Sequence, residues 1–341
     1  MMSAAKHPAF FHYSRPAALL GLAVLAAGPG VVSASTAALA AERPKQLVLI
    51  SFDGAHDNAL WDRSLEMANR SSARFTYFLS CTFLMNKAER QAYKAPGHSA
   101  GRSNVGFAKD QTEVLTRLGH IWSAYQTGHE IGSHGCGHFD GKNWSKSDWL
   151  SEFDQFDIAL TNAWSNNGGE TPAGWVGFAK TAITGFRAPY LSTSNGLYAA
   201  LGASGFGYDA STVSNGPVSP DFSKPTARFA LPLVPEGPKQ RAIIAMDYNL
   251  FVRHSAGLET PSKSKVFEER ALDAFRAAFE AEYSGKRRPL QLGFHFVEMN
   301  GGAYWNALEQ FVDETCGRPD VACVSYQEAV RQLKPTDGSA S

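Results

Sequence analysis

The sequence predicts one parallel α/β domain, because short apolar runs suited to buried strands alternate with amphipathic helical segments and no Pro/Gly/Ser-rich linker divides them. Leu47 to Phe52, Phe75 to Leu79, Ala242 to Met246, Leu290 to Phe294 and Val321 to Val324 read as strands, with weaker runs before Arg187 and Asp209. Between them Val114, Leu115, Leu118, Ile121 and Trp122 share one helical face, which Asp110 and Glu113 open as a capping box. Trp149, Leu150, Phe153, Phe156 and Leu160 make a second face, and Phe267, Ala271, Phe275, Ala278 and Phe279 a third that Gly285 is placed to end. Ser325 with Glu328 caps the last helix. The stretch from Lys87 to Lys109 is too polar and Gly-rich for either element, and a loop of that length belongs over a functional face.

Composition narrows the function classes. Of 341 residues 44% are hydrophobic and 19% charged, enough apolar material for a large core. Lys plus Arg and Asp plus Glu both count 32, so no net field draws the chain toward nucleic acid or anionic lipid. Residues 1–40 read as a signal peptide: Lys6 and Arg15, an apolar run from Ala17 to Ala27, then Ala38-Leu39-Ala40. The run is short for a membrane span, so cleavage and export to the periplasm or medium are expected, without stable membrane insertion; an uncleaved anchor is the alternative. The domain is expected over 41–341. Four cysteines in an oxidising compartment suggest two disulfides, Cys316 with Cys323 across a Gly/Pro turn and Cys81 with Cys136.

Chemistry gathers at strand ends. Asp53, Arg187, Asp209, Asp247 and His295 each fall at or just beyond a candidate strand, and His134 follows the run Glu130-Ile131-Gly132. In a parallel α/β barrel such positions converge on the C-terminal mouth. His134 and His138, in His-Gly-Cys-Gly-His, have a spacing that on a helical turn sets side chains roughly 5–6 Å apart, a separation that suits two imidazoles on one metal. The two glycines call for a tight turn instead. Asp247 and His254 lie near the mouth, where substrate contact and structural roles are equally open. Among the tryptophans, Trp144 and Trp305 look loop-borne enough to stack on a sugar ring. His98, His120 and His129 are expected to be structural.

The motifs Ser51-Phe52-Asp53, Gly128 through His134 running to His138, Arg187-Ala188-Pro189-Tyr190, Tyr208-Asp209-Ala210-Ser211 and Leu292-Gly293-Phe294-His295 together resemble the polysaccharide deacetylases, the NodB-homology or carbohydrate esterase family 4 group that includes chitin deacetylases. The resemblance runs from about Leu47 to Leu333. It implies a distorted parallel (β/α) barrel and a divalent metal, usually zinc, bound by His134 and His138. It further implies Asp53 as general base, His295 as general acid, Arg187 orienting the base, Asp209 supporting the acid, and the Tyr190 backbone N–H at the oxyanion. Amide hydrolysis needs an activated water, a stabilised oxyanion and a proton for the departing amine, and a bound metal would bring the water's pKa toward about 7.

One departure bears on the metal. Where the family has two adjacent aspartates, Gly54 follows Asp53 and offers no ligand. His56 or Asp57 could supply it from the next loop, water could fill the position, Asp53 could itself bind metal and vacate the base role, or no metal binds. Three functions follow: removal of N-acetyl groups from a polysaccharide such as chitin, peptidoglycan or an exopolysaccharide; an inactive carbohydrate-binding protein; or hydrolysis of an O-acetyl ester or small amide.

Overall fold

The barrel grows outward from β1 (Gln46–Asp53), whose eight residues are all buried. Side chains alternate along a strand, and here the alternation separates two cores. Val48, Ile50 and Phe52 pack outward under the helices, while Leu47 and Leu49 join a smaller inner cluster with Phe78, Tyr208, Phe229 and Tyr326. Ser51 and Asp53 continue the inner row, so period two alone aims the Asp53 carboxylate into the barrel.

In this computed structural model, which describes residues 43–335, one compact unit begins at Pro44. The leader expected over residues 1–40 lies outside the described residues. The remaining strands are β2 (Thr76–Leu79), β3 (Glu130–Ser133), β4 (Gly185–Phe186), β5 (Tyr208–Ser214), β6 (Ala227–Glu236), β7 (Arg241–Ile244), β8 (Leu290–His295) and β9 (Val321–Cys323). Their order is β7-β6-β5-β4-β3-β2-β1-β8, with β9 paired to the start of β1. All pairs are parallel except β6 with β7. The sheet curls until the residues after β7 meet β8: Gly293 N–H donates to Ala245 O at 2.9 Å, and Met246 bridges to Gly293. This is the expected distorted parallel barrel.

The helices are α1 (Asn58–Ser71), α2 (Gln111–Gln126), α3 (Lys146–Thr161), α4 (Ala163–Asn166), α5 (Trp175–Thr181), α6 (Asn195–Ala203), α7 (Asp247–Ser255), α8 (Ser264–Ser284), α9 (Ala303–Thr315) and α10 (Tyr326–Leu333). Asp110 caps α2 by accepting from Glu113 N–H, but the Glu113 side chain takes Lys109 N–H, so the expected reciprocal box is half formed. Gly285 does follow α8, with φ of −92° rather than a left-handed turn. Ser325 caps α10 as expected, and α10 closes the floor of the barrel. There Tyr326 accepts from Arg187, and the buried Glu130 carboxylate accepts from Tyr208 OH, Thr76 OH and Gln327 N–H.

Two strand expectations change. β6 escaped notice because Pro232 and Pro235 interrupt its apolar pattern, and prolines are tolerated near a sheet edge. The run Ala242 to Met246 becomes β7, a short antiparallel hairpin partner. Both expected disulfides form, Cys81–Cys136 closing 55 residues and Cys316–Cys323 closing 7. Chain entropy gives about 4 kcal/mol for the long loop and about 2 kcal/mol for the short one. Chemical unfolding of the two paired Cys→Ser variants should therefore show the Cys81/Cys136 protein as the less stable. The reverse order would contradict this account.

Candidate active site

Asp53 ends β1, and Arg187, just past β4, reaches across the barrel to it. The guanidinium is fully buried and spends its donors on Ser51 Oγ (2.7 Å), Asp53 Oδ1 (2.8 Å), Ala210 O (3.1 Å) and Tyr326 OH (2.9 Å), with its flat face 4.5 Å from the Phe78 ring. A buried cation needs such complete pairing. Burial alone would raise the Asp53 carboxyl, but Arg187, with His295 adding to it, outweighs burial and holds Asp53 below its usual range.

β3 delivers His134. Its Nδ1 lies 2.7 Å from Arg187 O, an atom that only accepts, so Nδ1 carries the proton and the Nε2 lone pair is left free. Burial pushes this imidazole down to about 3 and lowers His138 as well, so both rings are neutral near pH 7. The turn between them is clamped from behind. Glu152 of α3 accepts from Cys136 N–H at 2.7 Å and from Tyr93 OH at 3.0 Å, and Gly137 N–H donates to Tyr93 OH at 2.9 Å. A Cβ at Gly137 would sit 2.6 Å from Tyr93 Oη, so only glycine fits there. The ring centroids of His134 and His138 end 5.1 Å apart.

His295 ends β8 in direct register with Asp53, one strand away. Its carboxylate partner is Asp247, not Asp209. Asp247, fully buried at the start of α7, takes His295 Nδ1–H at 2.7 Å and His295 N–H at 2.8 Å. Burial would lower this imidazole, but Asp247 outweighs it and raises His295, leaving Nε2 as a proton donor. The expectation for Asp209 assumed a strand end; β5 instead continues through Ser214, which sets Asp209 level with Phe186 inside the sheet. There it accepts from Ser211 Oγ, which in turn takes Ala188 N–H at 2.8 Å, and burial pushes its carboxyl up to about 6.

These groups open on one cleft. An inner lobe of about 170 Å³ is lined by Asp53, Gly54, His56, His134, His138 and His295, and an outer lobe of about 520 Å³ adds Tyr190, Met246, Tyr248 and Asn249. Asn104 and Val105 line the outer lobe, so the predicted loop does cover this face, and Asn104 Nδ2 holds His138 O at 3.0 Å. Tyr190 and Leu191 have left-handed backbone, φ 58° and 55°, and Tyr190 N–H donates to no backbone acceptor among the described residues. The aromatics at the rim are Tyr190 and Tyr248, both more than half exposed. Trp305 instead lies on the buried face of α9 with its Nε1–H donated to His295 O, and Trp144 meets Trp149 edge-on. His98, His120 and His129 lie outside the cleft lining. Asp247 and Asp209 are indistinguishable in sequence, because the choice between them depends on where β5 ends.

The donor set does not fit a metal held by three protein ligands. Asp53, His134 and His138 line the same lobe, but among the described residues no three His, Cys, Asp or Glu side chains are grouped so as to hold a metal ion. Asp57 is occupied capping α1, accepting from Ala59 and Leu60 N–H. His56 lines the inner lobe with its Nδ1 2.9 Å from Gly54 O, its ring stacked on Phe83 and its carbonyl held by Arg117 at 2.6 Å, and it forms no three-residue metal-holding group with the paired imidazoles. Cys136 is in a disulfide. His134 and His138 therefore stand as a pair without a third donor.

The fold is shared with known structures. No family model matches the chain, and no curated protein does. Two bacterial proteins assigned as polysaccharide deacetylases are similar in structure. The one from Mycobacterium smegmatis has TM-score 0.55 and 17% identity, covering 86% of this chain and 92% of its own. The one from Pseudomonas aeruginosa PAO1 has TM-score 0.51 and 14% identity, covering 84% and 90%. Puue allantoinase is similar to a like extent, with TM-score 0.50 and 14% identity over 84% and 90%.

Gly54 has φ of +63°, which aspartate tolerates better than most residues, and a Cβ there would meet only Phe83 at 3.7 Å. Gly54→Asp should thus add the missing donor. Zinc titration of the metal-free proteins should show the variant binding at least about tenfold more tightly than wild type. Equal affinities would mean that the glycine is not what limits the site.

Proposed function

We propose that this chain hydrolyses acetamido groups of an N-acetylated polysaccharide, releasing acetate. The observation that carries the reading is the register pairing of Asp53 with His295, which sets an ionised carboxylate beside a protonated imidazole at the inner end of one cleft. Asp53, oriented by Arg187, takes a proton from water as the oxygen attacks the acetyl carbon. The neutral Nε2 of His134 accepts a hydrogen bond from the water's other O–H, which stays on the attacking oxygen. The oxyanion meets the unpaired Tyr190 N–H, and His295 Nε2–H protonates the amine nitrogen as the C–N bond breaks, leaving acetate and a free amine. Tyr190 and Tyr248 give flat, half-exposed surfaces on which sugar rings stack. The two disulfides favour an exported protein, where such polymers lie. Among the described residues no helix is long and apolar enough to cross a membrane.

A second reading, hydrolysis of a small amide by the same residues, draws support from the likeness to the allantoinase. Acetate release from chitin-type and peptidoglycan-type oligomers, measured beside turnover of small amides and O-acetyl esters, separates the two. Glycan affinity without any turnover would leave a carbohydrate-binding protein.

Two outcomes follow for the polymer substrate. Asp53→Asn and His295→Ala should each lower kcat/KM by about 10² to 10⁴-fold. The pH profile should also move in a defined direction. His295 works as the protonated form, so activity falls as pH rises through its raised pKa. Asp247→Asn removes the carboxylate that raises it and should shift that alkaline limb to lower pH, while the acid limb, set by the lowered Asp53, stays in place. An unmoved alkaline limb would remove His295 from the acid role.

A further inference from the structure

A second cavity, of about 260 Å³, lies beside the β6–β7 hairpin and is lined by Lys239, Arg241, Arg253 and Arg270 with a single carboxylate, Glu236. Four cations facing one anion repel one another unless something else neutralises them. Glu236 is engaged chiefly through Oε1, while its Oε2 faces Arg253 at 3.7 Å. It is 3% exposed, accepts from Arg270 Nε and Nη2 at 2.8 and 2.5 Å, and takes His254 Nε2–H at 3.0 Å. His254 adds no positive charge: Tyr304 OH donates to its Nδ1 at 3.3 Å, and burial with the Arg270 charge lowers its pKa.

The remaining donors point to an absent partner. Arg253 Nη1 is buried, stands 3.7 Å from Glu236 Oε2 and has no hydrogen bond. Lys239 and Arg241, on the exposed hairpin, form no ion pair among the described residues. Arg253 Nη2 donates to Ala242 O at 3.1 Å, so Nη1 is the donor left over, and with two uncommitted cations beside it the group suits a multivalent oxyanion.

We propose that this cavity binds an oxyanion, a carboxylate or phosphate group, through Lys239, Arg241 and Arg253. Its position gives it a connection to the cleft. Arg253 sits one turn beyond Asn249 on α7, about 6 Å along the helix, and Asn249 lines the cleft's outer lobe. The oxyanion is therefore either a substituent on a chain lying in the cleft or a separate small anion. The inference stands apart from the hydrolase reading, because binding here needs no turnover.

The test is isothermal titration of the mature protein with inorganic phosphate at constant ionic strength, with chloride as the control. Saturable binding to one site, weakened about tenfold or more in the Lys239→Gln/Arg241→Gln double variant, is the expected result. Arg253→Gln, which leaves the hairpin untouched, should weaken it too and serves if the double variant does not fold. Absence of saturable phosphate binding, or equal affinity in wild type and folded variants, overturns the proposal. A second arm compares an N-acetylated oligosaccharide bearing a uronic acid with its uncharged counterpart. Tighter binding of the acid, competed by phosphate, identifies a substrate substituent; equal binding of the two sugars alongside retained phosphate binding identifies a separate anion.

Discussion

Arg187 and Asp53 form a buried ion pair whose carboxylate faces the cleft, and most of the site is arranged around keeping that pair satisfied. Two buried charges cost several kcal/mol each to desolvate, and loss of one partner typically costs about 3–5 kcal/mol because the other is then stranded. The fold meets this cost with geometry. Ser51, Tyr326, Ala210 and the Phe78 ring surround the guanidinium. Because Ser51 and Asp53 share one face of β1 and Tyr326 opens α10, the pair ties the first strand, the middle of the sheet and the last helix together. The Arg187 carbonyl then fixes the tautomer of His134. One residue so sets both the charge of the carboxylate and the direction in which a neighbouring imidazole offers its lone pair.

The rest of the site repeats that principle with other groups. The His134–His138 turn is anchored behind by Glu152, Tyr93 and a disulfide; the Arg187–Tyr190 turn is anchored by Ser211 and, through it, Asp209. In each case a buried acid takes hydrogen bonds that define a loop without touching the cleft. Precision at the reacting groups comes from these supports more than from the loops' own conformational preferences.

Much of the fold was legible in sequence because its signals are local. Apolar runs of four to six residues located β1, β2, β8 and β9, and helical faces located α2, α3 and α8. Asp53, Arg187, His134 and His295 were found because each sits at a strand end, where a core has no use for them. What escaped depended on non-local facts. β6 carries two prolines that interrupt its apolar pattern, and only its pairing with β5 and β7 reveals it as a strand. Asp209 and Asp247 each follow a short apolar run and read alike in sequence. Which of them meets His295 is decided by closure of the barrel, where the residues after β7 bridge to Gly293 and bring α7 down beside β8.

That closure also bears on what Gly54 takes away. In a site built on three protein ligands, the cation would supply the dominant field at the reacting carbon. Here the carboxylate, the imidazole pair and the Asp247-supported His295 are all held by backbone register and buried supports, none of which depends on the residue at 54. A glycine there offers no donor but leaves the spacing of Asp53 and His295 unchanged, because that spacing is the separation of β1 from β8. Placement of the carboxylate and the imidazole is thus separable from supply of a third donor at this barrel mouth. The first is written into the sheet, and position 54, a glycine, contributes no donor to the second.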